Sequence, residues 1–137
     1  MPKTKIPRRA LLSAVVLCWA TARAEQGAFY NEAQATRGAS VYEQYCIACH
    51  GAQLQGNPAA PLAGAVFQSR WLDGQHTLDD LYYIVRSQMP YNAPASLSKQ
   101  QYVDVLAFVL KANGFPVGEA ELPPKSATLR AMTLQPR

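Results

Sequence analysis

The chain carries a compact set of reactive side chains in the stretch YCIACHGAQLQG, residues 45–56. Cys46 and Cys49 are three residues apart, and His50 follows the second cysteine directly. This pattern is compatible with a disulfide-exchange centre, with half of a zinc site, or with covalent attachment of haem. The rest of the sequence decides which of these three chemistries the motif can support.

Two of the three chemistries need features that the rest of the sequence does not supply. Disulfide exchangers place the first thiol at a helix N-terminus after a strand, whereas Cys46 and Cys49 follow a predicted helix and no strand-like alternation flanks them. Structural zinc takes four ligands, and the remaining candidate, His76, lies in a loop without a partner at ligand spacing. The pattern therefore favours haem attachment through both cysteines, with His50 as the proximal iron ligand.

Three residues are candidates for the sixth iron ligand. Met89 stands at the predicted end of a helix, directly before Pro90, where its side chain can turn inward. His76 lies upstream and Met132 lies near the C-terminus. A methionine often serves simply to fill a gap in a core, but the position of Met89 and the His/Met pattern known for haem proteins favour it as the ligand.

Apolar periodicity and capping residues predict the helices that position the motif. A helix over roughly residues 32–45 leads into Cys46. A second helix begins after Thr77, with Asp80 as its capping partner, and ends near Met89 because of the proline that follows. The motif and Met89 are thus each predicted at a helix exit.

A third helix completes the predicted set. Ser98 and Gln101 form a capping box, a broad apolar face follows, and Gly114 is placed to end the helix. The face is so wide that we expect neighbours on two sides. Residues 51–76 form a long irregular segment with a short helix near residues 65–71, and a loop of this length suits the wrapping of a large prosthetic group.

The first 24 residues have the features of a cleaved secretory signal. A basic start precedes an apolar run over residues 10–22 and an Ala22-Arg23-Ala24 end. The run is 13 residues long, and a membrane-spanning helix needs about 20, so we expect no membrane span in the mature chain. Removal of this segment takes away five of the 13 basic residues and none of the nine acidic ones, which leaves a net charge of −1. We therefore expect no nucleic-acid binding.

The predicted organisation is a signal peptide over residues 1–24, one domain over residues 25–114 and a C-terminal extension over residues 115–137. A chain of 137 residues has room for one compact domain. The extension is rich in proline and carries a weak helix near residue 126. It is either an arm for a partner or a packed segment.

The motif CIACHG, the following Leu62-Ala63-Gly64 and the pair Met89-Pro90 before a C-terminal helix together resemble class I cytochrome c. The stretches APLAGAVFQSRW and SQMPYNAPASLSKQQYVDVLAFVLKANGFP also resemble the haem domains joined to, or partnering, periplasmic quinoprotein alcohol dehydrogenases. The resemblance implies an all-α fold of three to five helices around one covalently bound haem c, with the first and last helices crossing. In that fold Gly38 allows the close approach and Tyr42 packs against the last helix.

The resemblance also implies roles for the site residues. Cys46 and Cys49 hold the haem, and His50 and Met89 ligate the iron from opposite faces. Family members often have a proline whose carbonyl accepts a hydrogen bond from the proximal imidazole, and here that position is Ala60. The bond can survive this change, since a backbone carbonyl needs no particular side chain, and the sequence leaves open whether Ala60 makes it.

Four further side chains are candidates for haem contacts, each with an ordinary alternative. Trp71 and Tyr91 would contact the haem or simply pack, and Arg70 and Arg86 would pair the propionates or lie in solvent.

The function expected from this set is that of a periplasmic electron carrier and not of an enzyme. It would accept electrons from a periplasmic dehydrogenase, such as a quinoprotein, and pass them to a terminal oxidase or another cytochrome of the respiratory chain. One alternative is a haem subunit held permanently in a dehydrogenase complex. Another is a small haem peroxidase or gas sensor, which would need a labile ligand in place of a firmly bound Met89.

Overall fold

The computed structural model of the protein describes residue 1 and residues 28–136. The predicted signal peptide therefore lies outside the described residues, apart from its first residue. Within residues 28–136 the structure is all-α, and β-structure is limited to two isolated bridges. The helices are α1 (Glu32–Tyr45), α2 (Ile47–His50), α3 (Ala65–Trp71), α4 (Leu78–Gln88), α5 (Lys99–Ala112) and α6 (Ser126–Leu129). The predicted all-α fold class is confirmed, and two four-residue helices bring the number of helices within residues 28–136 to six, one more than the three to five expected.

The helices α4 and α5 begin at the capping boxes that the sequence predicts. The Thr77 backbone N–H donates to Asp80 Oδ2 at 2.7 Å, and Thr77 Oγ1 accepts from the Asp80 N–H. The Thr77 backbone N–H and hydroxyl both donate to the Asp80 carboxyl and lower its pKa, because they favour its ionised form. Ser98 and Gln101 make the same reciprocal pair at the start of α5.

Helices α1 and α5 cross in close contact at Gly38. A Cβ atom at this position would lie 1.8 Å from the carbonyl oxygen of Asp104 in α5, so no larger residue fits without moving a helix. One turn later, the rings of Tyr42 and Phe108 pack with their centroids 5.2 Å apart. The crossing of the first and last long helices, and the parts that Gly38 and Tyr42 play in it, are as expected.

Helix α5 is buried over most of its circumference. It packs against α1 on one side and α4 on another, which agrees with the broad apolar face in its sequence. Its buried residues are Tyr102, Val103, Asp104, Val105, Leu106, Ala107, Val109 and Leu110. This helix is the centre of the core. The cysteine motif follows α1, and Met89 is attached to α5.

The C-terminal segment packs onto the helices and contributes Leu122, Leu129 and Leu134, each fully buried, to the core. Gln34 of α1, also fully buried, fixes it through a reciprocal pair: its Nε2 donates to the Leu122 carbonyl at 3.0 Å, and the Leu122 N–H donates to its Oε1 at 2.7 Å. Of the two alternatives for the extension, the structure shows the packed segment. The domain boundary at residue 114 stays a prediction.

We expect Gly38→Ala to destabilise the protein, because the new methyl group meets backbone that cannot rotate away. Overpacking of this kind costs about 1–3 kcal/mol, which exceeds the ~1 kcal/mol that alanine gains over glycine in a helix. Urea denaturation of the haem-loaded protein measures the change. Ser40→Ala, at an exposed position of the same helix, should leave the free energy of unfolding nearly unchanged. Equal stability of Gly38→Ala and the native protein would refute the close approach.

Gln34→Leu should weaken the attachment of the C-terminal segment. The substitution keeps the volume but leaves the N–H and carbonyl of Leu122 buried without these partners, and each such group costs about 1–3 kcal/mol. The expected result is a lower urea midpoint, together with faster protease cleavage after residue 114. Gln44→Leu, an exposed glutamine in the same helix, is the matched control. If both variants unfold at the same urea concentration, the pair does not hold the segment.

Candidate functional site

Cys46, Cys49 and His50 lie on one short turn of helix. Cys46 caps the C-terminus of α1 and the N-terminus of α2, and its carbonyl accepts from the N–H groups of Cys49 at 3.2 Å and His50 at 3.0 Å. Cys49 and His50 lie three and four residues after Cys46, so both are within one helical turn of it. Sequence reasoning predicted the exit of α1 here but missed α2, because four residues are too few to show a periodicity.

Both thiols are free, with Cys46 partly buried and Cys49 exposed. Burial raises the pKa of the Cys46 thiol to about 11, and the neighbouring Cys49 adds to the rise. A disulfide exchanger needs the opposite, a thiol whose pKa is lowered so that it reacts as the thiolate at neutral pH. The structure thus gives no support to the exchange alternative.

The imidazole of His50 is buried and oriented by a backbone carbonyl. Its Nδ1 lies 2.7 Å from the oxygen of Ala60. A carbonyl oxygen can only accept, so the proton lies on Nδ1 and the lone pair of Nε2 remains to bind a metal. The structure thus has the hydrogen bond to the Ala60 carbonyl that the sequence allowed but did not establish. Two adjacent thiols and an imidazole in this tautomer fit the requirements of a covalently attached haem.

The loop after the motif folds back onto α2. The Gly56 N–H donates to the His50 carbonyl at 2.8 Å, and the Ala59 N–H donates to the Cys49 carbonyl at 3.0 Å. These two bonds place residue 60 beside the imidazole. The loop that carries the Ala60 carbonyl is therefore hydrogen-bonded to the same helical turn that carries Cys49 and His50.

Gly51 makes the sharp change of direction that this folding back requires. Its φ of +81° lies in the left-handed region, and a Cβ would approach the side chain of Gln55 to 2.4 Å. The carbonyl of Gly51 accepts from the Tyr42 hydroxyl at 2.6 Å. Burial raises the pKa of Tyr42 to about 12, so this hydroxyl keeps its proton and remains a donor.

Met89 caps the C-terminus of α4 with extended backbone, as the following Pro90 predicted. Its carbonyl accepts from the hydroxyl of Tyr102 at 2.8 Å and from the Ala95 N–H at 3.3 Å. Tyr102 is buried in α5, so Met89 is attached to the centre of the core. Tyr102 is part of the broad apolar face of α5, and its polar contact was not found from the sequence. The signal available was a tyrosine among aliphatic residues.

His76 is engaged away from the cysteine motif. Its Nδ1 lies 2.9 Å from Asp73 Oδ2, and its ring packs edge-on against Trp71 with centroids 5.1 Å apart. Backbone N–H groups of His76 and Gln75 lower the pKa of the Asp73 carboxyl to about 2. Across residues 28–136, no group of three or more His, Cys, Asp and Glu side chains is arranged to hold a metal ion. The four residues of the zinc alternative therefore do not come together.

Met132 lies at the far end of α4 from Met89. Its carbonyl accepts from the Leu78 N–H at 2.9 Å, and its side chain packs against the core. Leu78 begins α4 and Met89 follows the end of that helix, which corresponds to about 16 Å along its axis. His76 is also at this far end. The two alternative ligands thus lie together at one end of the helix and Met89 lies at the other.

The remaining candidates for haem contacts show mostly ordinary packing. Trp71 contacts His76 and stacks under the guanidinium of Arg70, 5.6 Å from its ring centroid. Arg86 lies in the same way over the ring of Tyr82, at 5.7 Å. Tyr91 is 84% exposed, which is high for a large aromatic residue. The structure attaches both arginines to neighbouring rings on their own helices.

Asn113, which caps the C-terminus of α5, was missed altogether. Its buried side chain joins α5 to Leu62 and Gly64 in the loop that follows the motif. Its signal in the sequence was an amide side chain directly before the predicted stop at Gly114.

Within the described part of the chain, no helix is both long enough and apolar enough to cross a membrane.

Comparison with known proteins agrees with this geometry. A family model described as cytochrome c oxidase, cbb3-type, subunit III matches residues 33–109, more than half of the chain and a range that contains the motif and Met89. Among solved structures, the sulfane dehydrogenase SoxCD from Paracoccus pantotrophus is similar with a TM-score of 0.55 and 23% sequence identity, over 96% of this chain and 68% of that chain. At this identity the similarity shows the fold. No curated protein matches the sequence significantly.

Proposed function

Because the chain belongs to the family of the cytochrome c oxidase, cbb3-type, subunit III, we propose that it is an exported single-haem electron carrier with His50 and Met89 as axial ligands. Membership makes the chain a c-type cytochrome with covalently bound haem, and the cytochrome c domain transfers electrons. Three points go beyond family membership and are what we propose: the roles of the individual residues, the export of the protein and the identity of its redox partners. Cys46 and Cys49 form the thioethers.

The observation that carries the proposal is the hydrogen bond from His50 Nδ1 to the Ala60 carbonyl. It orients the ring, fixes the tautomer and makes Nε2 a stronger donor to a metal. The haem supplies an iron that changes its oxidation state by one electron. The two cysteines on the same turn would hold the haem through thioethers and His50 would bind its iron through Nε2, and ligation by His and Met would favour a raised reduction potential.

The placement of Met89 supports its role as the second axial ligand. Its carbonyl is held by Tyr102, so the side chain starts from a fixed point of the backbone. His76 and Met132, by contrast, both lie at the other end of α4, and Met132 packs against the core there. A fixed methionine favours an electron carrier over a peroxidase or gas sensor, which would need an open or labile position.

Met89→Ala should abolish the red-region absorption band that a bond from methionine sulfur to ferric iron produces. His76→Ala and Met132→Leu should keep the band, since neither residue is proposed to ligate the iron. The measurement is the visible spectrum of each oxidised, haem-loaded protein. Persistence of the band in Met89→Ala, or its loss in His76→Ala, would overturn the assignment and raise the peroxidase or gas-sensor alternative.

We further propose that the signal peptide over residues 1–24 directs the protein to the periplasm and that a dehydrogenase there is its electron donor. Two lines support a dehydrogenase. The stretches around Met89 resemble haem domains that work with quinoprotein alcohol dehydrogenases, and the similar solved structure is that of a sulfane dehydrogenase. A terminal oxidase or another cytochrome would be the acceptor. The packed C-terminal segment supplies no free arm, which favours a diffusing carrier over a permanently bound subunit.

Purified periplasmic dehydrogenases, quinoprotein and sulfane-oxidising, provide the test of the donor. In stopped-flow mixing, the true donor should reduce the cytochrome at a rate that falls only mildly with salt, because the mature net charge of −1 gives little long-range steering. Reduction by ascorbate is the control for the cytochrome itself. A steep salt dependence would contradict the charge argument. Co-elution with the donor in size-exclusion chromatography would instead identify a permanent subunit.

A further inference from the structure

Asn113 uses its side-chain amide to join two separate parts of the chain. Its Nδ2 donates to the carbonyls of Val109 and Leu62, each at 2.9 Å, and its Oδ1 accepts from the Gly64 N–H at 3.2 Å. The side chain is buried, with 4% of the residue exposed. The bond to Val109 belongs to the end of α5. The other two bonds hold the loop, and a helix cap does not need them.

The loop held in this way carries the acceptor of the His50 imidazole. Ala60 is two residues before Leu62, and Pro61 between them has a φ that its ring fixes, so a shift of Leu62 is transmitted to the Ala60 carbonyl. The Leu62 N–H also donates to the Leu54 carbonyl at 2.8 Å, within the same loop. Asn113 adds the attachment of this loop to α5, the most buried helix of the core.

We propose that Asn113 is a positioning residue for the iron site: it holds the Ala60 carbonyl against His50 Nδ1 and thereby sets the reduction potential. The inference rests on the proposed function, in which His50 ligates the iron. A firm hydrogen bond from Nδ1 makes the imidazole a more basic ligand. A more basic ligand stabilises the oxidised iron, so Asn113 keeps the potential lower than it would otherwise be.

The test is the midpoint potential of haem-loaded Asn113→Leu, a substitution of similar volume that cannot form the three hydrogen bonds. The potential should rise relative to the native protein. The Nδ1 proton of His50, followed by NMR in the reduced protein, should exchange with solvent more rapidly. A merely structural residue would lower stability without moving the potential, and its effect on exchange would be matched by that of a control variant of equal stability.

Gln34→Leu is the matched control, because it removes buried hydrogen bonds at the other side of the core and does not contact the loop. If Asn113→Leu shifts the potential no more than Gln34→Leu does, the proposal is overturned. Should Asn113→Leu fail to fold, Asn113→Ser decides, since its short hydroxyl cannot span both loop contacts. A raised potential in the folded serine variant supports the proposal, and an unchanged one refutes it.

The native protein separates this inference from the proposed function. An NMR spectrum of the native protein in which His50 shows no shift from the haem ring current would end both. If His50 is ligated in the native protein but the Asn113 variants leave the potential and the proton exchange unchanged, the inference about Asn113 fails and the proposed function stands.

Discussion

The close crossing of α1 and α5 at Gly38 is the constraint on which the site depends. With no side chain at this position, the backbone of α1 lies directly against the carbonyl of Asp104. Helix α1 is capped by Cys46, and α5 carries Tyr102 and is capped by Asn113. The crossing therefore sets the position of the cysteine motif relative to Tyr102, which holds Met89, and to Asn113, which holds the loop after the motif. If the helices separated, the motif would move away from the residues that hold its loop and from the helix that holds Met89.

Helix α5 connects the two halves of the site. Tyr102 near its start holds the carbonyl of Met89, and Asn113 at its end holds the loop that orients His50. The two contacts are about 16 Å apart along one rigid helix, so the two proposed ligands are positioned by the same element. An arrangement of this kind resists rearrangement when a charge is gained or lost. This property suits transfer of an electron and would hinder chemistry that needs an open ligand position.

Local signals in the sequence were sufficient for most of the fold. Capping boxes and apolar periodicity predicted α4 and α5, and the proline after Met89 predicted its place at a helix exit. The bond to Ala60 was left open by the sequence, which allowed it because it needs only a backbone carbonyl near His50, and the structure shows it. Pairs remote in sequence were not predictable: Gln34 meets Leu122 across 88 residues, and Asn113 meets Leu62 across 51. Nothing local to a glutamine or an asparagine indicates a partner so distant, and the boundaries of the signal peptide and extension stay predictions.

The central claim is that His50 and Met89 close both axial positions of one haem. The most direct measurement is the addition of carbon monoxide to the reduced, haem-loaded native protein at neutral pH, followed by its visible spectrum. The account predicts an unchanged spectrum, because a fixed methionine leaves no position for the gas. An immediate spectral change at low carbon monoxide concentration would show an open or labile position and would contradict the assignment of an electron carrier.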